Sequence, residues 1–287
     1  ELKVDMARII KAENEVFAGK NPNKNYTFII HNVVNGQGGL EHANSCVLSV
    51  NRWTYGGGYK DFLSLVAHEY FHLWNVKRIR PIQLGPFNYD EENYTSLLWV
   101  MEGFTSYYDE LLLVRTGYYT KDEYQRKLQG TLNYVEGSVG SRVQPVAHSS
   151  YDAWIKGYRP NENSANTTMT YYSRGGMLAA QLDAKIISKY KGEKSLDHFF
   201  AHVFGGDSFE RKKPDPLPLL KTCEALQSSP ARTLMVGDSS NDAQAANAAG
   251  CPVVLMTYGY NHGEPIRNTP ARAWLDSMTQ LRDLVQV

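Results

Sequence analysis

His68 and His72 stand four residues apart with Glu69 between them, in the run Leu65-Ser-Leu-Val-Ala-His-Glu-Tyr-Phe-His-Leu-Trp74. At 3.6 residues per turn, positions i and i+4 share a helix face, so both imidazoles can reach one metal ion. Glu69 lies beside that face, where a carboxylate can accept a proton from a water made acidic by the ion. The chemistry this points to is metal-assisted hydrolysis. A bare His-Glu-x-x-His also arises by chance, so its neighbours decide. No Pro or Gly interrupts residues 61–77, and Phe62, Val66, Tyr70 and Leu73 recur at helical spacing. The run predicts one helix, buried along one stripe and presenting the histidine pair on another.

Catalytic zinc takes three protein ligands and keeps one position open. The second apolar segment, Leu97-Leu-Trp-Val-Met-Glu102-Gly-Phe-Thr-Ser-Tyr-Tyr108, offers Glu102 as the third ligand. A carboxylate in an apolar helix is costly unless it meets a cation, an arginine or solvent. Asp109, two turns further on, could hold a ligating histidine from behind.

Two more motifs fit the same site. Gly38-Gly39-Leu40-Glu41-His42 follows a strand predicted at 26–34 and a Gly-rich turn at 35–39. Gly39 allows close backbone approach to a substrate, and Glu41 could bind a free ammonium group. Thr170-Tyr-Tyr172-Ser-Arg-Gly-Gly176 precedes a helix predicted at 175–190, and the Tyr172 hydroxyl could donate to a developing oxyanion. Each motif alone also reads as ordinary turn or helix-start chemistry.

In this order, Gly-Gly-Leu-Glu-His, His-Glu-Tyr-Phe-His-Leu-Trp-Asn, Glu-Gly-Phe-Thr-Ser-Tyr-Tyr and Tyr-Tyr-Ser-Arg-Gly-Gly resemble the glycyl aminopeptidase family of metallopeptidases, which is related to aminopeptidase N. Residues 151–168 are similar to that family too, and the resemblance runs from residue 1 to about 192. It implies that His68, His72 and Glu102 bind zinc, that Glu69 is the general base and that Tyr172 stabilises the oxyanion. It also implies that Glu41 corresponds to the glutamate of the aminopeptidase Gly-x-Met-Glu-Asn motif, which binds the substrate's N-terminus. The methionine and asparagine of that motif are Leu40 and His42 here. The implied substrates are peptides with small N-terminal residues, Gly or Ala.

The elements that must position these residues read as follows. A helix is expected at 2–17, strands at 26–34 and 47–51, and then the two metal helices. Thr120-Lys-Asp-Glu123 is a capping box opening a helix to about 135. A polar loop is expected at 137–166, and the last helix of this part stops at Gly192. Few strands followed by many helices give the α+β character of a thermolysin-like, or gluzincin, catalytic domain over residues 1–200.

Length and charge set the limits. At 287 residues the chain suits one large or two modest domains. Thirty basic and thirty acidic residues cancel, which speaks against nucleic acid or an anionic membrane as partner. No apolar run approaches the ~20 residues of a membrane span. The chain opens at Glu1 without a signal-like segment, and Cys46, Cys223 and Cys251 form neither a disulfide framework nor a metal cluster. A reducing, cytoplasmic setting is the expectation, with the periplasm as alternative.

Beyond residue 200 the pattern changes to alternating strand and helix, with a strand at 233–236, a helix at 240–249 and a strand at 252–256. This predicts part of a parallel α/β sheet over residues 201–287. Arg211-Lys-Lys213-Pro-Asp-Pro, Gly237-Asp238-Ser-Ser-Asn-Asp242 and Thr257-Tyr-Gly-Tyr-Asn-His-Gly263 resemble the C-terminal portion of phosphoglycolate phosphatase, in the haloacid-dehalogenase-like superfamily. The resemblance implies a phosphate contact for Lys213, and magnesium held by Asp238 and Asp242. That chemistry needs an Asp-x-Asp nucleophile, and no two aspartates of the chain are one residue apart. The segment therefore reads as an incomplete phosphatase remnant that holds magnesium weakly at best, with a long unpaired sheet edge. The whole reads as two partial enzymes joined without a linker. Its expected activity is that of a zinc aminopeptidase, the alternatives being a phosphatase or a non-catalytic chimera.

Overall fold

The structure, a computed structural model, describes residues 1–205, 208–259, 261 and 263–284. Tyr260 and His262 of the 257–263 motif lie outside the described residues. The chain forms two compact units, Glu1–Ala201 and His202–Val287.

In the first unit, helix α1 (Leu2–Val16) precedes strands β1 (Thr27–Val33), β2 (Gln37–Glu41) and β3 (Ser45–Asn51). The sheet order is β1-β3-β2, with β1 parallel and β2 antiparallel to β3. Strand alternation sends Cys46, Leu48 and Val50 of β3 to one face. There they pack on Phe62, Leu63, Val66 and Ala67 of α2 (Tyr59–Phe71) and on Met6 and Ile9 of α1. The Gly-rich stretch expected as a turn is largely β2, paired from Gln37↔Val50 to Glu41↔Cys46. Its glycines bend the entry but leave the main-chain groups free to pair with the second edge of β3.

Helix α2 is also shorter than its pattern. It stops at Phe71, with His72 as the C-cap, because the chain tightens there. The Leu73 and Trp74 amides bond back three residues, and Val76 takes φ 144°, an uncommon conformation for a β-branched residue. Helix α3 (Leu98–Arg115) carries Glu102, and α4 (Lys121–Gly137) opens on the expected capping box of Thr120 and Glu123. Residues 137–166 are not a loop. They fold into α5 (Gly140–Val143), α6 (Val146–Tyr151), a π-helical turn (Ala153–Gly157) and α7 (Ser164–Thr167). Pieces this short lack the repeating apolar stripe by which a helix is read from sequence. Helix α8 (Tyr171–Lys189) starts four residues earlier than expected, with Thr170 Oγ1 accepting the Tyr172 amide at 3.3 Å, and α9 (Leu196–Phe200) follows.

The second unit is a small parallel sheet, β4-β5-β6 (Met235–Gly237, Val253–Met256, Ala273–Leu275), with α10 (Leu217–Ala225) and α11 (Ser240–Ala249). A single turn, α12 (Leu281–Leu284), comes last. Strand β5 is buried on both faces, as a central parallel strand must be. The expected long open edge is absent among the described residues, since edge strands β4 and β6 have three residues each.

No described helix is long and apolar enough to cross a membrane. One buried group is at odds with its surroundings. Glu13 of α1 is fully buried and neither carboxyl oxygen has a hydrogen-bond partner. Burial, with Asp109 adding to it, holds this carboxyl well above the ordinary glutamate range. The folded chain thus keeps a proton that the unfolded chain releases, so Glu13 destabilises the fold increasingly as pH rises above the unfolded value. Glu13→Gln is expected to stabilise the protein at pH 8 by about 1 kcal/mol or more, the scale of one unsatisfied buried group. At pH 4 the gain should shrink. Thermal unfolding at the two pH values checks this, and an equal gain at both would contradict it.

Candidate metal centre and active cleft

His68 and His72 leave the end of α2 toward the second turn of α3. Glu102 Oε2 lies 3.1 Å from His68 Nε2 and 3.3 Å from His72 Nε2. One donor atom from each of the three residues falls within 4.8 Å of the others. The outer ring nitrogens fix this aim: His68 Nδ1 donates to Asp109 Oδ2 at 2.9 Å and His72 Nδ1 to the Asn75 carbonyl at 2.8 Å. Both Nε2 atoms are thereby turned inward, as ligating histidines require.

Asn75 locks the turn after α2 onto α3. Its buried amide donates to the Val100 carbonyl at 3.1 Å, the Met101 carbonyl at 2.9 Å and Thr105 Oγ1 at 3.1 Å. Helices α3 and α8 then meet backbone to backbone. A Cβ on Gly103 would stand 2.4 Å from the Gly175 Cα, and one on Gly175 would stand 2.4 Å from the Trp99 carbonyl oxygen. Gly103 follows Glu102 and Gly175 lies three residues after Tyr172, so this contact brings the two together. The Tyr172 ring packs 4.8 Å from that of Tyr171 and 6.1 Å from that of His68.

The electrostatics follow from burial and pairing. Burial disfavours charge on His68, yet Asp109 and Glu102 raise it well above its ordinary value. His72 is raised by Glu102, against burial. For Glu102 burial is outweighed by the two imidazoles, and its carboxyl is lowered. Burial pushes Glu69 up to about 7, and its Oε2 has no hydrogen-bond partner. Burial also raises the Tyr172 hydroxyl, which keeps it a proton donor.

Gly39 of β2 faces Glu69, with room for nothing larger: a Cβ there would stand 2.2 Å from Glu69 Cδ. Glu41 also reaches the centre, offering a donor atom within 4.8 Å of Glu69 and His72. One of its oxygens is already engaged, since Lys77 Nζ donates to its Oε1 at 2.9 Å. A cleft of about 620 Å³ runs from Gln37, Gly38 and Gly39 past His68 and Glu69 to Tyr158 and Tyr172.

In the second unit, Lys213, Asp238 and Asp242 gather at the end of β4, but Asp242 is not available as a magnesium ligand. Lys213 Nζ pairs with its Oδ1, while its Oδ2 accepts the Asp238 amide at 2.9 Å, the Ser239 amide at 3.2 Å and Ser239 Oγ at 3.0 Å. The residue closes the capping box at the start of α11, whose N-cap is Ser239. Asp238 remains, its carboxyl raised by burial and by Asp242. The described residues of this unit hold no group of three metal-ligating side chains.

His68, His72 and Glu102, with the buried Glu69 beside them, form a group that could hold a metal ion. Comparison with known proteins agrees. Residues 61–178 match the M61 glycyl aminopeptidase family and residues 185–256 match the haloacid dehalogenase-like hydrolases. The crystal structure of an aminopeptidase N family protein from Idiomarina loihiensis superposes with a TM-score of 0.69 at 36% identity, covering 73% of this chain and 38% of that one. Phosphoglycolate phosphatase of Vibrio cholerae is 40% identical over 127 residues, 44% of this chain and 56% of the relative. That of Nitrosospira multiformis is 32% identical over 167 residues, 56% of this chain and 73% of the relative. The chain thus belongs, through its C-terminal part, to the haloacid dehalogenase-like hydrolases of phosphoglycolate phosphatase type, while its first unit is similar to the glycyl aminopeptidases. It spans about half, or less, of the first curated relatives it matches and of the solved aminopeptidase N family structure.

Asn75, Lys77, Gly103 and Gly175 were not singled out from sequence. The signal for the glycines was their place inside two motifs, each next to or near a proposed site residue; Asn75 and Lys77 fell within the run 61–77 predicted as one helix, whose pattern gave no sign of the turn they form. Gly39→Ala is expected to cost about 1–3 kcal/mol, the range for overpacking a buried site. In a Glu69→Ala background the same change should cost almost nothing, because the clashing group is gone. Unfolding of the four proteins in that cycle checks this, and equal costs in both backgrounds would contradict it.

Proposed function

We propose that the first unit is a zinc-dependent aminopeptidase centre of thermolysin-like, gluzincin type, acting on peptides with Gly or Ala at the N-terminus. The observation that carries this is the convergence of His68, His72 and Glu102 from two helices, with the unpartnered Glu69 oxygen alongside. Two imidazole nitrogens and one carboxylate oxygen are a donor set that catalytic zinc takes, and each imidazole is braced from behind. These residues fit the ion. The preference for small N-terminal residues rests on the family match alone.

Zinc bound at these three residues would supply Lewis acidity and bring the pKa of water toward ~7. Glu69 accepts the proton of the attacking water through its free Oε2 and returns it to the leaving amine. Tyr172 donates its hydroxyl to the substrate carbonyl oxygen as negative charge gathers there. Gly39 keeps the β2 edge close enough for a peptide to lie against Glu69. Glu41, held through Oε1 by Lys77, offers its other oxygen to the substrate's ammonium group.

A phosphatase is the weaker reading. Lys213 and Asp242 neutralise one another, and the Asp-x-Asp pair that would form an aspartyl-phosphate does not occur in the sequence. Magnesium would have Asp238 alone of the two acidic candidates, a weak site.

Glu69→Gln is expected to retain zinc, because Glu69 is not among the three ligands, and to lower turnover of glycyl and alanyl anilides by at least ~10². A chelator should abolish wild-type turnover and zinc should restore it. Full activity in Glu69→Gln, or insensitivity to chelation, would contradict the proposal.

A further inference from the structure

Residues 151–168 resemble the family as a stretch, yet nothing in the catalytic scheme uses them. They build one wall of a second cavity, of about 710 Å³, in the usual range for ligand clefts. Its opposite wall comes from the end of α4 and the residues after it, and its floor from the start of α8. Tyr158 and Tyr172 line both this cavity and the catalytic cleft, so the two spaces adjoin at the proposed oxyanion donor. Tyr158 is 68% exposed although its hydroxyl bonds that of Tyr171 at 3.2 Å. A large ring held at a junction with most of its face open is a surface for a ligand to pack against.

The chemistry of the walls limits the ligand. Asn133, Gln144, Ser138, Thr168 and Asn166 present amide and hydroxyl groups, while Tyr134 and Met169 add apolar surface. Lys156 is the one charged residue on the lining among the described residues, and Asp152 already neutralises it at 2.6 Å. A charged side chain entering this space would lose water without gaining a counter-ion. Donors and acceptors in mixed supply suit a peptide backbone, which carries both on every residue.

We infer that this cavity binds the part of a peptide substrate beyond the scissile bond, and that it selects extended, uncharged chains. The inference rests on the peptidase reading above. The direction follows from the cleft and its neighbours: Gly39 lines the β2 end and Glu41 lies within 4.8 Å of Glu69, so the N-terminus is received there, the reacting carbonyl lies between Glu69 and Tyr172, and the leaving chain passes Tyr158 into the cavity. Contacts remote from the reacting bond then contribute to the rate, so shortened substrates lose turnover.

The test compares a C-terminally amidated, uncharged pentapeptide beginning with Gly, the same peptide with Asp at its fourth position, and the glycyl dipeptide amide. Wild-type protein should favour the neutral pentapeptide over both others by at least about tenfold in kcat/KM. Ala165 lines the cavity from α7 and is exposed, so Ala165→Trp narrows the space without entering the core. In that variant the pentapeptide-to-dipeptide ratio should collapse toward one. A wild-type ratio near one, or a ratio untouched by Ala165→Trp, would overturn the inference while leaving the peptidase reading intact. A second arm needs no turnover. The fluorescently labelled neutral pentapeptide should bind Glu69→Gln protein by anisotropy, and at least about tenfold more weakly when Ala165→Trp is added. Such binding with no wild-type hydrolysis of any substrate would uphold the cavity and overturn the peptidase reading; equal binding to both proteins would overturn the cavity.

Discussion

Gly103 and Gly175 bring α3 and α8 together with no side chain between them, and the geometry of the metal centre depends on that contact. Helix axes usually sit 8–10 Å apart, the distance being set by the side chains at the crossing. Here the crossing lies one residue from Glu102 and three from Tyr172. Any Cβ would push the proposed ligand and the proposed oxyanion donor apart. Glycine inside a helix costs about 1 kcal/mol relative to alanine. The fold accepts that cost at the crossing, where it places two functional side chains at once. Asn75 does the corresponding task on the other flank, tying the turn after His72 to the carbonyls around Glu102.

The centre gathers acidic groups in a dry space. Glu69, Glu102 and Asp109 surround two imidazoles, and Glu13 lies close enough that Asp109 raises its carboxyl while His68 acts to lower it. Glu102 is kept ionised by the histidines, whereas burial raises Glu69 and Asp109. A divalent cation in the proposed centre would offset this cluster, meeting the Glu102 carboxylate and both inward nitrogens and leaving Glu69 free for the proposed role of base. The second unit resolves its charges differently. Lys213 and the amides at the start of α11 already satisfy Asp242, so that corner is closed by its own residues.

Much of the centre was legible because its signal is local. Two histidines at i and i+4 declare their face whatever surrounds them, and a glutamate in an apolar helix must meet something positive. What sequence did not yield depends on partners far along the chain. Lys77 pairs with Glu41 across 36 positions, and the Gly103–Gly175 crossing joins residues farther apart still. The early stop of α2 comes from Asn75 bonding to α3, which no local propensity encodes. The β2 edge looked like a turn because glycine marks turns, yet pairing to β3 overrode that preference. The helices between 137 and 166 were missed because pieces of four to six residues carry too little periodicity to stand out.

The central claim is that His68, His72 and Glu102 form a zinc site with an open position. X-ray absorption at the zinc edge of the purified, zinc-loaded protein tests it most directly. The account predicts two imidazole nitrogens and oxygen neighbours at about 2.0–2.2 Å in a four-coordinate shell. Replacing His68 by Ala should remove one imidazole contribution. A shell of sulfur ligands, or one unchanged in the His68→Ala protein, would contradict it.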